Sequence, residues 1–68
     1  MSTREFTVTG MTCQHCVTSV TTEVSAVAGV TGVAVDLEHG HVSVTGEKID
    51  PQKVVAAIAE AGYQASPA

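Results

Sequence analysis

Sixty-eight residues, 44% of them hydrophobic and 15% charged with no tryptophan, suffice for one small domain over residues 1–68. They exclude a large multi-step enzyme, because a second core needs far more chain. Seven acidic residues against three basic ones leave a formal charge of −4, the wrong sign for gripping a phosphate backbone, so neither nucleic acid nor an anionic membrane is an expected partner. No apolar run approaches the roughly 20 residues that span a bilayer, and the opening MSTREFTVTG lacks the apolar stretch of a secretory signal. The expectation is a cytoplasmic protein with no direct membrane insertion.

In chain order, Glu5-Phe6-Thr7-Val8-Thr9 alternates polar and apolar residues and is closed by Gly10, which predicts a half-buried strand with Phe6 and Val8 facing inward. Val17, Val20, Val24 and Val27 recur at spacings of 3, 4 and 3, one stripe of a helix. Val and Thr are mediocre helix formers, but strict alternation is absent, so the periodicity decides, and Gly29 is the predicted stop. Val33, Val35 and Leu37, then Val42 and Val44, predict two antiparallel strands joined at Glu38-His39-Gly40 by a tight turn in which Gly40 takes positive φ. Asp50 followed by Pro51 is a strong helix start, and Val54, Val55, Ile58 and Ala61 supply the buried stripe. Gly62 ends that helix. Tyr63-Gln64-Ala65 then predicts a short edge strand before a frayed Ser66-Pro67-Ala68 tail. The order β, α, β, β, α, β is the split βαβ pattern: a ferredoxin-like α+β sandwich with a four-stranded antiparallel sheet and two helices on one face.

Both cysteines fall in one tetrapeptide, Cys13-Gln14-His15-Cys16, so no disulfide can staple distant segments. The pair lies between the first strand and the first helix, where unpaired N–H groups and the helix dipole favour thiolate. Spacing i, i+3 lets two sulfurs converge on one ion once Cys16 enters the first turn. Two soft thiolates with no obvious third or fourth ligand suit Cu(I), whereas structural zinc wants four ligands. A lone CxxC also serves zinc ribbons and disulfide oxidoreductases, so the spacing alone leaves those readings open.

The surrounding residues narrow the choice. Gly10-Met11-Thr12-Cys13-Gln14-His15-Cys16 resembles the GMTCxxC signature of the heavy-metal-associated domain family, and the resemblance covers nearly the whole chain. It implies the βαββαβ fold. It also implies that Cys13 and Cys16 are metal ligands, and that a free-standing domain of this length is most similar to bacterial copper chaperones. Those hand Cu(I) to the metal-binding domains of copper-transporting P-type ATPases. The start at Met1 and the short Pro67-Ala68 end suit an independent protein over an excised ATPase domain. The expected function is that of a carrier and not of an enzyme, with a Cu(I)-bridged homodimer as an accessible state. The alternative within the family is a Zn(II), Cd(II) or Hg(II) carrier. Outside it stands a thiol–disulfide redox protein, which the positions of Pro51 in a helix start and Pro67 in the tail do not favour.

Other residues near the motif have plain and functional readings side by side. Met11 is expected under the loop as an adaptable core anchor, and only secondarily as a thioether ligand. Gly10 lets the strand turn, and Thr12 is a candidate helix cap. His15 reads as a solvated side chain or as a group that tunes the thiolates or adds a third ligand. Tyr63 occupies a position where bacterial members of the family often carry Tyr close to the metal loop, either covering the core or shielding the thiolates. His39 and His41 flank Gly40 at a hairpin tip that split βαβ topology puts at the cysteine end of the sheet. Solvation is their plain reading and an auxiliary site the functional one.

Overall fold

A computed structural model describes residues 2–11 and 14–68. The elements run β1 (Ser2–Thr9), α1 (Gln14–Ser25), β2 (Val30–Asp36), β3 (His41–Gly46), α2 (Pro51–Glu60) and β4 (Gln64–Pro67). All strand pairs are antiparallel, in the spatial order β2-β3-β1-β4. This is the ferredoxin-like sandwich expected from the alternation and periodicity of the chain.

The core is built mainly from small branched side chains: Phe6 and Val8 from β1, Val20 and Val24 from α1, Val42 and Val44 from β3, and Val54 and Ile58 from α2, with Ile49 from the loop before α2. Burial alternates along β1 and β3, which gives the sheet one face under the helices and one facing solvent. Ile49 escapes periodicity because it belongs to no regular element, yet it is 4% exposed.

Several boundaries differ from expectation, some for tertiary and some for local reasons. β1 starts at Ser2, three residues earlier than its alternation suggests, because Ser2, Thr3 and Arg4 pair with Gly46, Thr45 and Val44 of β3. α1 ends at Ser25 and not at Gly29: Ala26 and Val27 N–H groups bond the carbonyls of Glu23 and Val24, tightening the last turn. Val27 still packs on the core from beyond the helix, so the apolar stripe outlasts the helix that it predicts, and the third buried position of α1 is Cys16. Within α1, the hydroxyls of Thr18, Ser19 and Thr22 bond the carbonyls four residues back, so these poor helix formers satisfy their own polar groups inside the helix. The Ser66-Pro67 tail is ordered along β1, and the Ala68 N–H bonds the Glu5 carbonyl.

α2 follows its sequence signals closely. The Asp50 carboxylate accepts the Gln52 N–H at 2.9 Å with Pro51 in the first helical position. At the other end Gly62, with φ +100°, closes a Schellman arrangement in which the Gly62 N–H bonds the Ala59 carbonyl and the Tyr63 N–H the Ile58 carbonyl.

Candidate metal centre

Four segments meet at one pole of the sandwich: the end of β1 with Gly10 and Met11, the start of α1, the β2–β3 turn, and the exit from α2. α1 begins at Gln14, so Cys16 is its third helical residue and lies in the first turn. It is 7% exposed. Its thiol is thus anchored to a rigid element at the end where backbone N–H groups are left over and the dipole is positive, which favours an anionic sulfur against the opposing effect of burial. Thr12 and Cys13 lie outside the described residues, and so does the expected cap at Thr12. Met11 is half-buried and packs against the core, the anchoring position expected of it. His15 is exposed in the first turn of α1, its backbone carbonyl accepting the Ser19 hydroxyl at 3.2 Å.

Tyr63 reaches this pole through two pieces of local structure. The Schellman turn releases the chain from α2 just before it, and the register Thr9↔Gln64 between β1 and β4 sets Tyr63 beside Gly10. The ring is half-buried against the core, and a Cβ added to Gly10 would lie 3.3 Å from its Cδ1. With φ at +96°, Gly10 is where β1 must bend, and the bare backbone leaves room for the ring.

The β2–β3 turn abuts β1 at the same pole. Gly40 has φ +66° and its carbonyl accepts the Val8 N–H at 2.7 Å. Asp36 holds the turn: Oδ1 accepts the His39 N–H at 3.2 Å, and Oδ2 lies 2.8 Å from His39 Nδ1. The hydrogen bond from the His39 ring, followed by the one from its backbone, keeps the Asp36 carboxyl below the ordinary aspartate pKa. His41 begins β3, exposed, opposite Asp36 on β2 and Thr7 on β1.

The basic side chains are segregated along the molecule, whereas carboxylates lie at both ends, Glu23, Glu47 and Asp50 among them at the end away from this pole. Asp36, Glu38 and Glu60 lie at the pole described here, whereas Arg4, Lys48 and Lys53 lie toward the opposite end, where β1 and α2 begin and β3 ends. Among the described residues, this pole carries carboxylates and histidines but neither Lys nor Arg. Among the same residues, no helix is long and apolar enough to cross a membrane.

The heavy-metal-associated domain profile matches residues 5–64. The chain is 40% identical over 65 residues to the copper chaperone CopZ of Bacillus subtilis (strain 168), a match covering 93% of this chain and 94% of that protein. Among solved structures it resembles a copper-binding domain from HMA7, a P-type ATPase, with a TM-score of 0.95, 28% identity, and coverage of 100% of this chain and 95% of that one. A CopZ metallochaperone superposes with a TM-score of 0.90 and 34% identity, over 96% of this chain and 100% of the other. With the βαββαβ order, the strand pairing and the profile in agreement over almost the whole length, the chain belongs to the heavy-metal-associated domain family.

Proposed function

We propose that this protein is a cytoplasmic copper chaperone that binds one Cu(I) through the thiolates of Cys13 and Cys16 and passes it by ligand exchange to the metal-binding domain of a copper-transporting P-type ATPase. The observation that carries this reading is the 40% identity to the CopZ copper chaperone over 93% of the chain, which includes the CxxC loop. Cu(I) is the cargo and takes low coordination with sulfur. Cys16 is held by the first turn of α1, and Cys13 supplies the second sulfur. An acceptor thiolate adds to the bound ion, giving a three-coordinate bridge, and one donor thiolate then leaves, so the ion is never released to water. The shared fold with an ATPase copper-binding domain supports the exchange: sites of like shape that differ little in affinity let copper move either way, and the three-coordinate bridge keeps the barrier low. The carboxylates at this pole favour an acceptor with a basic docking face, which acts mainly on the encounter rate.

Tyr63, resting beside Gly10, covers the base of the metal loop and shields one side of the copper–thiolate centre, leaving the other open to an incoming thiolate. The protein acts as a carrier, without turnover of its own, and a second copy can bridge the exposed ion as a Cu(I)-linked homodimer.

Anaerobic titration with Cu(I) and, separately, Zn(II) against competing chelators tests the assignment. One tightly held Cu(I) per chain, lost in Cys13→Ser and in Cys16→Ser, is expected, with Zn(II) weaker. Cu(I) binding that survives loss of both sulfurs would refute the site, and Zn(II) outcompeting Cu(I) would refute the cargo. In the same assay, a Tyr63→Phe protein is expected to hold copper as the native chain does, since the proposed role of the ring is shielding; a marked loss would assign the work to its hydroxyl.

A further inference from the structure

Outside the cysteine loop, the densest set of metal-binding side chains sits in the β2–β3 turn. His39 and His41 are separated only by Gly40, and Asp36 is tied to both: its side chain meets the His39 ring at 2.8 Å, and its backbone is the direct cross-strand partner of His41. Val35 and Val42, the preceding cross-strand pair, face the core side of the sheet. Alternation therefore puts Asp36 and His41 together on the helix-free face, where opposed residues have Cβ atoms about 4.5–5.5 Å apart.

The Asp36–His39 contact also decides which imidazole nitrogen is offered. A carboxylate only accepts, so a neutral His39 must carry its proton on Nδ1 and turn the Nε2 lone pair outward. A carboxylate on the far nitrogen of a metal-binding histidine does this same job in metalloproteins, fixing tautomer and ring orientation. The pair is open to solvent, with side-chain exposures of 67% for His39 and 51% for Asp36. Among the described residues, no three His, Cys, Asp or Glu side chains stand together so that they could hold an ion, so a metal here would have the two imidazoles as protein ligands and water in its remaining positions.

We propose that this turn is a second metal site, specific for a borderline divalent ion and separate in chemistry from the thiolate pair. His39 Nε2 and the His41 imidazole are the ligands, and Asp36 is the positioning residue. Imidazole donors select Cu(II), Ni(II) or Zn(II), with Cu(II) the tightest in the usual order, and leave soft Cu(I) to the cysteines. Because Gly40 is hydrogen-bonded to β1 two residues before Gly10, such an ion would be held at the same pole as the cysteine loop.

The test uses the full chain with Cys13→Ser and Cys16→Ser, so that the thiolates do not compete, and Zn(II) alone as the probe, followed by two-dimensional NMR. Before metal is added, the ring nitrogens of neutral His39 are expected to report the Nδ1–H tautomer. Zn(II) is expected to shift the ring signals of His39 and His41, with backbone changes centred on 36–41. A further His39→Gln, His41→Gln pair abolishes those shifts, and Asp36→Asn weakens binding about tenfold or more. An Nε2–H tautomer for His39, ring signals unmoved at millimolar Zn(II), shifts centred on His15, or shifts that persist without His39 and His41 would each overturn the proposal. Because the sulfurs are absent, none of these outcomes bears on Cu(I) binding by the cysteines.

Discussion

Replacing Gly40 with Ala tests how the β2–β3 turn is docked against the strand that leads into the cysteine loop. Two effects oppose the substitution. At φ +66° an L side chain in the left-handed region costs about 1 kcal/mol. The new Cβ would also lie 2.8 Å from the Val8 carbonyl oxygen, closer than a carbon and an oxygen tolerate. The turn cannot retreat without stretching the 2.7 Å bond from the Val8 N–H to the Gly40 carbonyl, so crowding and the weakened bond together cost about 2 kcal/mol. A stiffer unfolded chain returns about 0.7 kcal/mol. The net loss is about 2 kcal/mol, which in a domain of this size lowers the melting temperature by about 8–16 °C. Gly40→Asn separates the two effects, since Asn accepts the left-handed region but keeps the Cβ; its expected loss is about 1 kcal/mol. Urea unfolding followed by circular dichroism measures both. An Asn variant as stable as the native chain would show that only the backbone angle matters, and would refute the claimed close approach to Val8.

Three further outcomes follow from other parts of the fold. Asp50→Ala removes the acceptor for the Gln52 N–H and is expected to cost about 1 kcal/mol by urea unfolding; no change would mean that water caps α2 equally well. Ile58→Ala empties a fully buried position where α2 meets the sheet and should cost about 2–5 kcal/mol, a large share of the stability available to a small domain, read as a collapse of the thermal transition. The Asp36 carboxyl has a lower pKa folded than unfolded, so its contribution to stability is complete above the unfolded value of about 4 and is lost as pH falls through the folded one. Stability curves of the native chain and Asp36→Asn should therefore differ by a small constant near neutrality and converge below pH about 4; a gap that widens on acidification would contradict the hydrogen bond to His39.

Some of this molecule is written in neighbouring residues. Asp50-Pro51 and Gly62 bound α2 within a residue of where it starts and stops, because a cap acceptor, a fixed proline φ and a left-handed glycine act on the chain beside them. The alternation through Phe6 and Val8 and through Val42 and Val44 was enough to orient the sheet, and the recurrence of Val20 and Val24 enough to overrule the weak helix propensity of Thr and Val. The stretch from Gly10 to Cys16 was sufficient to point to the family. Only the assembled structure brought Tyr63 over Gly10 and the Gly40 carbonyl onto Val8, and set Asp36 against the His39 ring and opposite His41 on the next strand. It also buried Ile49 from a loop, carried β1 back to Ser2, and ended α1 at Ser25 while Val27 still faced the core. The approaches of Tyr63 to Gly10, of Gly40 to Val8 and of Ser2 to β3 join segments distant in sequence, set by strand register and by which pole each element ends at, and periodicity is blind to both. The same division applies to charge: composition yields the surplus of four negative charges, while topology alone leaves Asp36, Glu38 and Glu60 without a basic neighbour at the cysteine pole and gathers Arg4, Lys48 and Lys53 with Glu23, Glu47 and Asp50 toward the other, because antiparallel strands and returning helices decide which ends of the chain's elements share a surface.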